Sequence, residues 1–186
     1  TEDQKKQTGI FNRNKVRLLS GLSFLMGFLD AFLLYVLSSY FVQMSGERLV
    51  GSFYLVAFVI VLGMLMRLQP LVHTLGSVRF LAILLVGLIG TSFFLSLREP
   101  SWAGVAALLA YIVCNNLLWA VMDVLVEDFS SDQVSGRVRG LYLTVMNAGL
   151  LFAPILSTKT LALAGYPGVF TVLGFGYMLV LLTVVI

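Results

Sequence analysis

Residues 16–44 read VRLLSGLSFLMGFLDAFLLYVLSSYFVQM, and their only charged side chains are Arg17 near the start and Asp30 near the middle. A helix needs about 20 apolar residues to cross a hydrocarbon core of about 30 Å, and this stretch is longer. A carboxylate at the centre of such a helix costs about 2.5–3.5 kcal/mol on insertion scales, so it normally faces a bundle interior or a wet cavity. No small-residue cleavage pattern follows, which predicts a retained helix and not a signal peptide.

The composition of the whole chain predicts a polytopic membrane protein. The residues are 59% hydrophobic and 11% charged, whereas an ordinary soluble domain is about 25% charged, and the mean hydropathy is +0.98. The net charge of +3 is small and no basic block is interleaved with aromatic residues, so no nucleic-acid partner is expected. Cys114 and His73 are the single Cys and His. We therefore expect no metal, no cofactor and no intramembrane enzyme, which would need a nucleophile with its base or a set of metal ligands.

The expected fold is an all-α membrane protein with six transmembrane helices. Barrel strands are excluded because the apolar runs are continuous and do not alternate. Breaks such as Gly165-Tyr166-Pro167-Gly168 separate the runs. The predicted domains are a cytoplasmic tail over 1–15 and a bundle over 16–186, truncated within its last helix because 183–186 carries no polar flank. The predicted spans are 17–43, 49–66, 80–97, 102–126, 140–163 and 169–186.

The basic residues predict the orientation, because cytoplasmic loops of membrane proteins carry an excess of Lys and Arg. Of the 12 basic residues, nine fall on the N-terminal side of the predicted bundle and three on the other. We therefore expect a cytoplasmic N-terminus and an integral protein of the plasma or inner membrane. The nine are Lys5, Lys6, Arg13, Lys15, Arg17, Arg67, Arg79, Arg137 and Arg139, and the three are Arg48, Arg98 and Lys159.

Polar side chains near the predicted midplane are candidates for a substrate or ion pathway. Asp30 lies in the first span, Asn115 and Asn116 in the fourth with Trp119 one turn on, and Asn147 in the fifth. A structural alternative exists for each kind of residue. Asp30 could be protonated and hydrogen-bonded to a neighbouring helix, and the asparagines could form interhelical hydrogen bonds, which average about 0.6 kcal/mol in membranes.

Charged residues cluster where the fourth predicted span ends. Asp123 and Glu127 are one helical turn apart, and Arg137 and Arg139 follow in the next loop. Such a run is usually a solvated connector, because exposed ion pairs contribute little. The alternative is a cytoplasmic gate in which one of the arginines pairs with Asp123 or Glu127 when that side is closed.

Two motifs resemble those of the major facilitator superfamily. In the fifth span, Gly140, Gly149 and Pro154 have the spacing of that family's fifth-helix motif, and both glycines are expected to permit close helix packing. Pro154 is expected to bend the helix. In the loop after the second span, Gly76 and Arg79 fit the late positions of the family's signature loop, although its Asp is absent here.

The resemblance implies the N-terminal six-helix half of a twelve-helix carrier. The two triplets of spans would form a 3+3 inverted repeat, with the site at the repeat interface near the bilayer centre. The expected function is secondary active or facilitative transport of a small solute by alternating access. The expected partners are the lipid bilayer, a small-molecule or ion substrate and a C-terminal six-helix half. The weakened signature loop motivates an alternative, a non-transporting scaffold or receptor-like relic of the transporter fold.

Overall fold

The computed structural model describes residues 13–46, 49–129 and 135–185, and within these ranges it describes all side chains except those of 13–20, 35, 126–129, 135–139, 142 and 185. The described residues form six α-helices and no strand. Most of the predicted tail over 1–15 therefore lies outside them. The helices are α1 (Arg13–Ser45), α2 (Val50–Leu65), α3 (Leu68–Leu75), α4 (Ser77–Ser96), α5 (Trp102–Phe129) and α6 (Ser135–Val185).

Several of these helices are long and apolar enough to cross a membrane. Within the described residues four segments meet this condition: Gly21–Ser45, Ser77–Ser96, Trp102–Leu125 and Leu143–Val184. A fifth candidate is the pair of α2 and α3, which are bent by 57° at the short break between them. The prediction of an all-α fold is confirmed for the described residues, and their long apolar helices are compatible with the predicted membrane protein.

Two predicted connectors are more helical than expected. The loop after the second predicted span contains α3, and it ends at Gly76, whose φ of 81° favours glycine. The predicted break around Gly165 is present but short: two helical segments, described together as α6, meet at a kink at Gly165, whose φ is 63° and ψ −166°. Pro154 also lies inside α6, but the break in helical backbone geometry is at Gly165. We refer to 135–164 and 166–185 as the first and second parts of α6.

The break at Gly165 leads to a stability prediction. Its φ and ψ belong to a region that is essentially restricted to glycine, and holding another residue there costs about 1–3 kcal/mol. We expect Gly165→Ala to lower the thermal unfolding temperature in detergent, followed by far-UV circular dichroism. Gly140→Ala is the matched control, because a Cβ atom at Gly140 meets open space and alanine favours the helix. Equal stability of the two variants would contradict the assigned backbone strain.

Helix α1 is packed between the two parts of α6. Toward the first part, a Cβ atom on Gly149 would meet the backbone of Phe24 and Phe28. Toward the second part, a Cβ on Gly176 would meet the side chain of Leu29. Small residues allow this close approach, which drives helix association in lipid. The expected close packing therefore applies to Gly149, whereas Gly140 faces open space.

The remaining helices complete a bundle around α5. Helix α4 packs against both α5 and α6, and α2 packs against α5. Aromatic side chains pack between the helices. Four of them are at most 2% exposed: Tyr40, Tyr111, Tyr177 and Phe170. This packing brings the middle of α1 beside the middle of α5, which positions the site described next.

Candidate functional site

The Asp30 carboxylate is held by two side chains of α5. The amide Nδ2 of Asn115 donates a hydrogen bond to Oδ1 of Asp30 at 2.6 Å. Trp119 also forms a side-chain hydrogen bond with Asp30, and its indole N–H can act only as a donor. The two donors lie four residues apart and therefore on one face of the helix. This pair of donors fixes the orientation of the carboxylate between α1 and α5.

Asn115 extends this contact into a buried network that joins three helices. Its Oδ1 accepts a hydrogen bond from the Tyr177 hydroxyl of α6 at 3.4 Å. The Tyr177 and Tyr111 hydroxyls are 2.6 Å apart and share one further hydrogen bond. Asn115, Tyr111 and Tyr177 are buried, and buried polar networks that are satisfied in this way make a structure rigid. Asp30 is thus anchored to a rigid part of the bundle.

A cavity of about 310 Å³ adjoins the carboxylate. Three helices contribute its walls, and the described residues that line it include two carboxylates and no basic side chain. Its volume far exceeds the roughly 30 Å³ that one water molecule occupies in the liquid. The lining residues are Gly27 and Asp30 of α1, Trp119 and Asp123 of α5, and Leu143, Met146 and Leu150 of α6.

Asp30 therefore combines two properties that the sequence offered as alternatives. It is hydrogen-bonded to a neighbouring helix, and it also lines a cavity large enough for water or a small solute. Asp123, which the sequence assigned to a gate, lines the same cavity and is exposed. Two carboxylates from different helices thus share one space.

Other predicted pathway residues lie elsewhere. Asn116 is half-buried and donates to the Ile112 carbonyl of its own helix at 2.8 Å. Asn147 is exposed on the first part of α6, and neither asparagine is among the residues that line the cavity. Of the two adjacent asparagines, Asn115 and not Asn116 therefore acts with Trp119 at Asp30.

The predicted gate is described only in part. Asp123 is exposed and lines the cavity. The side chains of its three predicted partners lie outside the described residues, namely Glu127, Arg137 and Arg139. In the loop motif, Gly76 joins α3 to α4, and Arg79 is exposed in the first turn of α4. Among the described residues no group of three His, Cys, Asp or Glu side chains could hold a metal ion.

Two residues of the hydrogen-bond network were not predicted from the sequence. Tyr111 and Tyr177 complete the network around Asn115. One signal was available: Tyr111, Asn115, Trp119 and Asp123 follow each other at intervals of four along α5. This spacing places all four along one stripe of the helix. No comparable pattern marks Tyr177.

Comparison with known proteins identifies no relative of this chain. No protein-family profile matches the sequence, and no curated protein or solved structure is significantly similar to it. The chemistry of the site therefore follows from its geometry.

Proposed function

We propose that this chain is the N-terminal six-helix half of a carrier of the major-facilitator type, which moves a small solute across a cell membrane by alternating access. The observation that carries the proposal is the cavity beside Asp30. A carboxylate at the centre of an apolar helix is costly unless it serves a site reached by water, ions or substrate. Here that carboxylate is held in place by Asn115 and Trp119 and lines an open space.

The helix contacts support a 3+3 inverted repeat. The first triplet would be α1, α2 with α3, and α4, and the second would be α5 followed by the two parts of α6. In such a repeat, a contact made by a helix of one triplet should also be made by the equivalent helix of the other triplet. Helix α2 contacts α5, and the first part of α6 makes the equivalent contact with α1. Helix α4 contacts α5, and the second part of α6 makes the equivalent contact with α1.

An exposed polar side chain supports a second half as the partner. Asn147 lies in the middle of the first part of α6 and is exposed in this chain. Polar side chains at membrane depth rarely face lipid and usually face protein or a wet cavity. A C-terminal six-helix half covering this face would enclose Asn147. The distribution of basic residues supports a cytoplasmic N-terminus in a plasma or inner membrane.

Alternating access can be tested by labelling the cavity from each side of the membrane. We would place a single cysteine at Leu150, which lines the cavity, in the full-length protein after replacing Cys114 and any other cysteines by serine. Right-side-out and inside-out vesicles would then be treated with a membrane-impermeant maleimide. The proposal predicts labelling from both sides. Leu85→Cys is the control that should remain unlabelled, because Leu85 is fully buried.

The same experiment separates the carrier from the scaffold alternative. A non-transporting relic of the fold has no need to open its cavity alternately to both sides. Labelling of the Leu150 cysteine from one side alone, or from neither, would therefore reject transport by alternating access.

A further inference from the structure

We infer that the cavity beside Asp30 binds a monovalent organic cation, an ammonium group carried on a small apolar body. The inference deepens the proposed function, on which it rests, by naming the class of solute. It is argued from the charge, the aromatic side chain, the apolar wall and the size of this cavity.

The charged side chains among the described lining residues have one sign. Asp30 and Asp123 contribute carboxylates, and the other described residues of the lining are uncharged. Charges interact strongly in a site with little water, because the effective dielectric constant is low. An anionic solute would be repelled by these two carboxylates. An ammonium group would instead gain a charge-assisted hydrogen bond, and a carboxylate that already accepts bonds from Asn115 and Trp119 has further acceptor positions.

Trp119 adds a second cation-binding element. Trp119 lines the cavity together with the two acids. It precedes Asp123 by one helical turn and is hydrogen-bonded to Asp30. Among aromatic side chains, tryptophan attracts cations most strongly, by about 0.5–2 kcal/mol depending on desolvation. The combination of a carboxylate with an indole favours an ammonium group over a neutral hydroxyl of the same shape.

The cavity wall that α6 contributes favours an organic ion over a metal ion. Leu143, Met146 and Leu150 of α6 present apolar surface to the cavity, which suits the hydrocarbon part of a solute. Divalent Ca²⁺ requires six to eight oxygen ligands, whereas the lining offers two carboxylates. The volume of about 310 Å³ lies at the small end of the range for ligand pockets, about 300–1,000 Å³. A primary amine with one ring is therefore the expected size.

The test compares three probes that share a phenylethyl body: phenethylammonium, the neutral 2-phenylethanol and the anionic 3-phenylpropionate. Binding to the native state raises its stability by RT ln(1 + [L]/Kd), so thermal shifts of the full-length protein in detergent, measured over a range of probe concentrations, give apparent affinities. We expect phenethylammonium to bind about tenfold or more tightly than the alcohol, consistent with one charge-assisted contact, and 3-phenylpropionate to bind least. Equal binding of the alcohol, preference for the anion, or no stabilisation by any probe up to millimolar concentration would overturn the inference.

Variants locate the binding within the cavity. Asp123→Asn should weaken phenethylammonium binding about fivefold, because a partly solvated carboxylate contributes about 1 kcal/mol. Because Asp123 is exposed, the variant should fold as the natural protein does. Glu99→Gln is the matched control, since Glu99 is exposed and is not among the residues that line the cavity. Unchanged binding in Asp123→Asn, or an equal loss in Glu99→Gln, would contradict the assignment.

Two readouts distinguish the failure of this inference from the failure of the proposed function. Cysteine labelling at Leu150 reports alternating access without any ligand, and the thermal shift reports cation binding without any flux. Labelling from both sides without cation preference would overturn the inference and keep the carrier. Cation preference with labelling from one side would keep the site and reject transport.

Discussion

If the proposed carrier function holds, Asp30→Asn should abolish uptake of radiolabelled phenethylammonium into proteoliposomes that contain the full-length protein, with an expected loss of about 100-fold or more. The asparagine keeps the size of the side chain, and its Oδ1 can still accept the hydrogen bond that Asn115 donates at 2.6 Å. It carries no charge, however, and a neutral amide cannot replace a carboxylate as the partner of an ammonium group. A factor of 100 corresponds to about 2.7 kcal/mol, within the range expected for a hydrogen bond to a charged group.

Controls separate this effect from misfolding. Asp30→Asn should retain the detergent elution profile of the natural protein and most of its thermal stability, because the shape of the side chain and its bond to Asn115 are preserved, and only one of the two oxygens that can accept from Asn115 and Trp119 is replaced by an NH2 group. Asp30→Glu should recover part of the uptake, since it restores the charge at a slightly different position. Glu99→Gln, which removes an exposed acid outside the cavity lining, should leave uptake unchanged. Normal uptake by Asp30→Asn would remove Asp30 from the mechanism.

Gly149→Leu is expected to prevent the bundle from assembling. A Cβ atom at this position would collide with the carbonyl oxygen of Phe24 and the backbone nitrogen of Phe28, and backbone atoms of a helix cannot move aside as a side-chain end can. Overpacking of well-packed cores costs about 1–3 kcal/mol and occasionally more. The larger side chain therefore forces α1 away from the first part of α6 and separates Asp30 from its support.

This loss is measurable by size-exclusion chromatography after heating the detergent-solubilised protein. Gly149→Leu should yield little monodisperse protein, and Gly149→Ala should show a lowered transition temperature. Gly140→Leu is the matched control on the same helix, because open space surrounds Gly140. Similar stability of the two leucine variants would show that α1 and α6 do not meet as closely as described.

The membrane helices could be predicted from the sequence because length and apolarity decide whether a segment spans a bilayer. The structure of the connectors could not be predicted in the same way. Pro70 suggested a break, yet it occupies the first turn of α3, where a proline is tolerated because its missing N–H has no helical partner. The four residues from Gly165 to Gly168 suggested a loop between two helices; the kink lies at Gly165, but it takes only that one residue.

The candidate site was predictable only in part. Asp30 and Trp119 stood out because polar and amphipathic side chains inside an apolar helix are unusual. The choice between Asn115 and Asn116 could not be made, since adjacent residues of a helix point 100° apart and either could face α1. Tyr177 lies 62 residues beyond Asn115 and meets it only through the packing of α6. No spacing within a single helix carries that information.

The environment of the native Asp30 carboxylate is the most direct test, and it needs no substitution at the site. Membranes containing the full-length protein would be treated with a water-soluble carbodiimide and an amine nucleophile, and modification of the Asp30 peptide would be followed by mass spectrometry, with Asp30→Asn as the blank. We predict that the water-soluble reagent modifies Asp30, because its carboxylate lines an open cavity. Modification by a lipid-soluble carbodiimide alone, or by neither reagent, would place Asp30 in lipid or in a dry helix seam and contradict a solute site there.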